Sequence, residues 1–286
     1  MATDVGLFGL GLIGTAIATR LLAAGYAVRG HDPQPARCTE LQGLGGTAPG
    51  AEAIWAAPFV FAAVFDTDQL ENLIEAAPQG AATRLICVST CDPARMPDLA
   101  VRAAQKGVEL IEAPISGTSA DLAEGKVVFF VAGDPASAEV IAPLLAVLSR
   151  RQFHVGAVGN GNRAKLAINL VLGLNRAALA EGLVFAHRLG LDPAVFLDLA
   201  RNSAAASAVM EGKGGRMVAR NFAPLGRIAQ SAKDFTLIRD AAANQGQGLP
   251  FAETYLAMMQ DALDHGEGDL DNSAVLLPIE RAQAPN

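Results

Sequence analysis

The sequence predicts an α/β protein in two parts: a doubly wound, mostly parallel sheet, then an all-α C-terminal domain led by a long helix. Three observations carry that expectation. Short apolar runs alternate with helical patterns through the first half of the chain. The first run, Val5–Gly9, passes through Gly9-x-Gly11-x-x-Gly14 straight into the helical spacing of Thr15–Ala24. After Gly159 the strand signals stop and the apolar runs lengthen.

Val5–Gly9, Ala27–His31, Phe59–Phe65, Leu85–Ser89, Val108–Ala113 and Lys126–Ala132 read as strands, each ending at or next to a polar or small residue. Pro35–Leu44, Gln69–Glu75, Met96–Lys106 and Ala136–Leu148 read as the helices that follow Thr15–Ala24. Such alternation gives a parallel sheet covered on both faces, with ligands beyond the carboxyl ends of its strands. Those ends carry Gly9, Asp32, Phe65-Asp66, Ser89-Thr90 and Ser116-Gly117. The second part opens with a helix over roughly Asn162 to Leu189, apolar on nearly every face. At 1.5 Å per residue it spans about 40 Å. Pro193–Arg201, Ala206–Ala219, Ala229–Gln245 and Pro250–His265 continue in helix. A helix apolar all round is covered by other helices or by a second subunit, so a homodimer or higher homo-oligomer is the expected assembly.

Within the strand–turn–helix unit, Gly9, Leu10, Gly11, Leu12, Ile13 and Gly14 have the arrangement of a dinucleotide fingerprint. The first glycine permits the turn, the second lets backbone approach a pyrophosphate, and the third lets helix pack on strand. N–H groups at the helix start meet the negative charge. Asp32 follows about twenty residues later, where an acid bonds the adenosine ribose. The bland alternative is a glycine-rich turn that binds nothing, and Asp32 counts against it. The sheet part is therefore expected to be a Rossmann-like dinucleotide-binding domain over 1–158. Residues 159–286 form the helical substrate and dimerisation domain, with the boundary near Gly156–Gly161.

Composition narrows the classes further. Hydrophobic residues at 51% and charged residues at 18% describe a chain with a sizeable core rather than a disordered one. A net charge of −7 argues against a nucleic-acid partner. Cys38, Cys87 and Cys91 have no zinc spacing, and His31, His154, His187 and His265 are scattered, so no metal is expected. Reduced thiols and an N-terminus, Met1-Ala2-Thr3-Asp4, that enters a strand without a basic leader suggest the cytoplasm. The apolar run Leu166–Leu174, broken by Asn169 and followed by Asn175 and Arg176, is read as too short to span a bilayer, so no membrane is expected.

Four separated motifs resemble the β-hydroxyacid dehydrogenase family, which includes 3-hydroxyisobutyrate dehydrogenase and tartronate semialdehyde reductase. The fingerprint is the first. Glu112-Ala113-Pro114-Ile115-Ser116-Gly117-Thr118 resembles the family's substrate-binding signature. Gly159-Asn160-Gly161-Asn162-Arg163-Ala164-Lys165, followed by Asn169, resembles its catalytic signature, and Lys233-Asp234 its late Lys-Asp pair. The resemblance implies hydride transfer between a nicotinamide cofactor and a small β-hydroxy acid or the matching semialdehyde. It implies Lys165 and Asn169 as catalytic, and Ser116, Gly117, Thr118, Asn169 and Asp234 as substrate-binding. Phe65, Asp66, Thr90 and Lys233 join the fingerprint and Asp32 on the cofactor.

The residues support those roles independently. Lys165 and Asn169 are four apart and project from one helix face. A lysine whose pKa falls on desolvation removes a hydroxyl proton, or protonates an alkoxide in the reverse direction. Hydroxyls and N–H groups at Ser116–Thr118 suit a carboxylate. Asp32 followed by Pro33, where NADP-using relatives often have Asn-Arg, favours NAD over NADP, with Arg37 the one nearby cation that complicates this. Several positions depart from the family pattern. Phe65-Asp66 stands where Leu-Pro is common, and Thr118 replaces the second glycine of Ser-Gly-Gly. Gly117 stands near where sulfonate-reducing relatives carry arginine. Ala204, Ala205, Ala206 and Ala208 replace a usual aromatic and suggest a differently shaped pocket. Cys91 invites a covalent aldehyde mechanism but has no evident base. Two alternatives are an imine reductase of the same architecture, against which Lys165 counts, and a non-catalytic nucleotide-binding module.

Overall fold

A computed structural model describes residues 3–282. The leader reading at Met1-Ala2 and the end of the helical domain, 283–286, lie outside the described residues. The chain divides between Lys165 and Leu166 into two compact units.

In the first unit, five strands make a parallel sheet in the order β2-β1-β3-β4-β5. They are β1 (Asp4–Phe8), β2 (Ala27–His31), β3 (Phe59–Ala62), β4 (Thr83–Cys87) and β5 (Val108–Glu112). Helices α1 (Leu12–Ala23), α2 (Pro35–Gly43), α3 (Ala51–Ile54), α4 (Thr67–Glu75) and α5 (Met96–Gln105) connect and follow them. Successive side chains of a strand point to opposite faces. Accordingly Phe61, Ile86 and Ile111 enter one core with Ile17 and Leu21 of α1, while Val60, Leu85 and Leu110 enter another with Leu70 and Leu99. Both faces of the sheet are buried, as continuous apolar strands require.

The remaining strands form a sheet of their own, a separation the alternating pattern did not signal. Here β6 (Ile115–Ser116) pairs antiparallel with β7 (Val127–Val131), and β7 pairs parallel with β8 (Ser149–His154). Helix α6 (Ser119–Ala123) joins the first two strands and α7 (Pro135–Leu148) the last two. The β8 segment, Ser-Arg-Arg-Gln-Phe-His, is polar and mostly exposed, so it carries no apolar-run signal. The strand expected over Phe59–Phe65 stops at Ala62, because the chain turns to start α4.

Helix α8 (Asn160–Arg188) leads into the second unit, followed by α9 (Pro193–Arg201), α10 (Gly215–Val218), α11 (Ile228–Ala243), α12 (Pro250–Asp264) and α13 (Leu276–Arg281). The helix expected over Ala206–Ala219 is present over 208–218, but its middle, Met210–Gly214, is a π-helical turn that runs into α10. That turn brings Gly214 against Leu197, where a β-carbon would lie 2.5 Å from the leucine Cδ1. It also sends Lys213 inward to Asp271.

One expectation about α8 needs correction. By length and hydropathy alone this 29-residue helix is apolar enough to cross a membrane, so its apolar run is not too short. Its polar interruptions nevertheless have partners within the helical unit. Asn169 donates to Asp234 of α11, and Arg176 donates to Tyr255 of α12 and Ser231 of α11. Among α8's other side chains, Ile168, Val171 and Phe185 are exposed.

Candidate active site

The fingerprint occupies the end of β1 and the start of α1. Gly9 has φ +84°, a backbone conformation that favours glycine, and a β-carbon there would strike the Ala63 carbonyl. A β-carbon on Gly14 would overlap the Gly9 carbonyl oxygen at 1.9 Å, so the third glycine is needed for close helix–strand packing. Gly11 differs. It is the residue before α1, and a β-carbon there would meet only Arg37 Nη1, 3.9 Å away. The backbone beside Gly11 thus faces open space, and the first N–H groups of α1 have no acceptor within their helix. An open cradle of this kind fits a pyrophosphate.

Asp32, just after β2, is buried and closes one side of that turn. Its Oδ2 accepts from the Leu10 N–H at 2.8 Å and from Arg37 Nη1 at 3.1 Å; its Oδ1 accepts from the Gln34 N–H at 2.9 Å. Burial pushes the carboxyl up, but those N–H groups and the guanidinium outweigh it, leaving Asp32 below its ordinary value and ionised at neutral pH.

At the other strand ends, the structure gives the expected site residues specific local work. Asp66 is the N-cap of α4 and accepts from the Gln69 N–H at 2.9 Å, while the Gln69 side chain returns to the Phe65 N–H. Phe65 is exposed and Thr90 buried. Ser116 ends β6 and Gly117 has φ +138°. Thr118 starts α6 in a capping box: its N–H and hydroxyl both donate to Asp121 Oδ2 at 2.7 Å. Cys91 is buried with its sulfur 4.0 Å from that of Cys87. The neighbouring Cys91 sulfur and burial hold the Cys87 thiol well above its ordinary value, which keeps it un-ionised and inert.

Lys165 is buried, as are Asn162 and Asn169 on the same face of α8. In the helical unit, Asn169 Nδ2 donates to Asp234 Oδ2 at 2.9 Å, and Lys233 pairs with Asp234 Oδ1 at 3.0 Å. Asn169, Asp234 and Lys233, 65 positions apart between the first two, are thus brought together. Asp234 is committed to orienting the Asn169 amide and to its own neighbour.

Sequence reasoning missed two residues that hold the lead-in to Lys165. Glu112, fully buried at the end of β5, accepts from the N–H groups of Gly159 and Asn162 and from Asn162 Nδ2 at 2.5 Å. Asn162 Oδ1 in turn accepts from the Cys91 N–H at 2.7 Å. The signal was available in part: an acid ending a strand of Val, Leu and Ile must find donors where it is buried. Its donors, 47 and 50 positions away, were not readable from the sequence.

Comparison with known proteins decides the family. Residues 4–156 match the NAD-binding domain of 6-phosphogluconate dehydrogenase, and residues 159–279 match the NAD-binding region of NADP-dependent 3-hydroxyisobutyrate dehydrogenase. The chain belongs to the β-hydroxyacid dehydrogenase family. Among relatives of this dehydrogenase, glyoxylate/succinic semialdehyde reductase 1 of Arabidopsis thaliana is 29% identical, over 97% of this chain and 98% of its own. The 2-hydroxy-3-oxopropionate reductase of Escherichia coli K12 is also 29% identical, over 96% and 97%. A 3-hydroxyisobutyrate dehydrogenase crystal structure from Salmonella typhimurium superposes with TM-score 0.86 at 26% identity, covering 96% of this chain and 99% of that one. This dehydrogenase is accordingly an NAD(P)-dependent hydroxyacid oxidoreductase.

Proposed function

We propose that the enzyme interconverts a small β-hydroxy acid and the corresponding semialdehyde, with NAD as the preferred cofactor and Lys165 moving the proton. The observation that carries this reading is the open Gly11 cradle beside an ionised Asp32, in the same compact unit as a buried Lys165. Backbone N–H groups from Gly11 to Gly14 would hold the pyrophosphate over the turn that Gly9 and Leu10 shape, their own N–H groups going to His31 and Asp32. Asp32 would hold the adenosine ribose, and Phe65, Asp66, Thr90 and Lys233 the remaining cofactor contacts. When bound, the nicotinamide supplies the two-electron, hydride half of the chemistry. Lys165 supplies the other half, donating a proton to the forming alkoxide in reduction or taking the hydroxyl proton in oxidation. Asn169, its amide oriented by Asp234, fixes the substrate oxygen. Ser116 and Gly117 are the donors left to the substrate carboxylate, because Thr118 already gives its N–H and hydroxyl to Asp121.

The preference for NAD rests on charge. An ionised Asp32 accepts ribose hydroxyls and repels a 2′-phosphate, and Arg37 is partly neutralised by pairing with it. Against this stands the NADP-dependent enzyme named in the family match. Michaelis constants for the two cofactors decide the point; a clear NADP preference would refute the assignment.

Absorbance screening of small hydroxy acids and semialdehydes against NAD(H) tests the activity. Lys165→Ala should lower turnover by about 10²–10⁴-fold with cofactor binding retained. Undiminished turnover in that variant rejects the role. A homodimer that covers Ile168, Val171 and Phe185 of α8 is the proposed assembly, which light scattering on the purified enzyme checks. Cytoplasmic residence is proposed on the three free thiols and is checked by cell fractionation.

A further inference from the structure

We propose that Glu112 is a positioning residue for the reaction: its carboxylate, with the Asn162 amide, locks the first turn of α8 to the cofactor-side and substrate-side loops and so sets where Lys165 stands. The proposal rests on the reading above that Lys165 moves the proton.

The geometry converges on one buried carboxylate. Gly159, Gly161 and Asn162 aim their N–H groups at Glu112, and Asn162 adds its side-chain amide. These are the N–H groups that a helix start leaves without partners, and a negative charge there also suits the helix dipole. A local Ser or Asp before α8 would satisfy them as well. This chain instead caps the helix from the end of β5, so the cap also fixes the helix's first turn to the sheet.

Asn162 extends the lock. Its Nδ2 binds Glu112 while its Oδ1 takes the Cys91 N–H, next to Thr90. Glu112 itself is four residues before Ser116, and its backbone pairs with Ala132 in both directions. Three segments proposed to contact cofactor, substrate and proton therefore meet at one acid–amide pair within one compact unit. The packing leaves little slack. A β-carbon on Gly161 would sit 2.8 Å from Glu112 Cβ and 3.1 Å from the Phe130 carbonyl oxygen. Lys165 lies one helical turn beyond Asn162 on the same buried face.

Burial pushes the Glu112 carboxyl up, and the Asn162 and backbone donors bring it only part of the way back. Such a desolvated acid is costly to keep, and four donors would be left facing an amide in Glu112→Gln. The lost bonds let the first turn of α8 shift, and displacement of a reacting group by about 1 Å costs on the order of 10²-fold in rate.

The test compares Glu112→Gln, Glu112→Asp and Lys165→Ala with the wild-type enzyme. Each is measured for kcat, for KM of the hydroxy acid, for NADH affinity by fluorescence, and for amide hydrogen exchange over 159–165. Glu112→Gln should lose about 10–10²-fold in kcat, keep NADH affinity within about twofold, and exchange faster over 159–165. Glu112→Asp should recover part of kcat. Full kcat per NADH-binding site in Glu112→Gln, with Lys165→Ala impaired, overturns the proposal and leaves the proton role intact. Full turnover in Lys165→Ala overturns both. If Glu112→Gln does not fold, Asn162→Ala removes the amide's bonds to both Glu112 and the Cys91 N–H while keeping the carboxylate and its backbone donors; unchanged kcat and exchange in that variant overturn the proposal.

Discussion

The two units each bury a carboxylate at the start of a helix, and the two are stabilised by opposite means. Glu112 is met by dipoles, the N–H groups of Gly159, Gly161 and Asn162 and one side-chain amide. Asp271, at the start of the short 3₁₀ helix Asn272–Val275, meets a full charge: Lys213 Nζ lies 2.8 Å from both its oxygens. Leu225, Gly226 and Ser273 N–H groups and the Ser273 hydroxyl complete its set. The outcomes differ in sign. Burial raises Glu112, and its donors do not fully offset it. Burial raises Asp271 too, but the ammonium and hydroxyl reverse it and bring the carboxyl down to about 2. Burial also drags the Lys213 ammonium down despite Asp271, so the lysine bears the cost of that pair. Dipoles make a buried carboxylate tolerable; a counter-charge makes it strongly acidic.

The largest expected effect breaks the charged pair. Asp271→Asn leaves a buried ammonium without its counter-charge and should cost about 3–5 kcal/mol in urea unfolding. Glu112→Gln, which keeps one acceptor for its donors, should cost about 1–3 kcal/mol. Equal losses would mean that the counter-charge adds nothing beyond hydrogen bonding. The combined Lys213→Met and Asp271→Leu change should recover most of the loss, since apolar replacements remove both desolvated charges.

Acid titration of stability sharpens the contrast. Asp271 falls from 3.8 to about 2 on folding, so its contribution is present above the unfolded value and is lost as pH falls towards 2. The shift corresponds to about 2 kcal/mol at neutral pH. Glu112 has the reverse sign: its folded value lies above 4.5, so its contribution is present below 4.5 and is lost as pH rises through the folded value. Asp271→Asn should therefore flatten the acid limb of the stability curve, whereas Glu112→Gln should remove a decline on the neutral side. Matching pH profiles for the two variants would refute the distinction.

How much of this was legible depends on sequence distance. The fingerprint, the parallel strands and the spacing of Lys165 and Asn169 are local patterns, and the fold follows from them. Asp32 was also legible, since its separation from the glycines is fixed by one strand–helix–strand unit. The three-stranded sheet was not, because β6 is two residues long and β8 is polar. Nor was the Met210–Gly214 π-turn, where a buried partner 58 positions away captures Lys213. The motif makes Asp234 a substrate ligand; its bond to Asn169 arises from helix packing that no periodicity encodes, and its pairing with the adjacent Lys233 from the same helix.

The smallest effect concerns a third acid at a helix start, half-buried rather than fully buried. Asp66 caps α4 through the Gln69 N–H, and the family resemblance also puts it on the cofactor, so cap and charge must be separated. Asp66→Asn keeps a side-chain acceptor for the cap and removes the charge; Asp66→Ala removes both. Asp66→Ala should cost about 1 kcal/mol in unfolding and Asp66→Asn only a few tenths. If Asp66 acts only as a cap, both variants keep the NAD Michaelis constant. If its charge faces the cofactor, Asp66→Asn shifts that constant without moving stability. A shared shift in affinity with unequal stabilities would assign the residue to both tasks, unlike Glu112 and Asp271, whose burial ties charge and cap together.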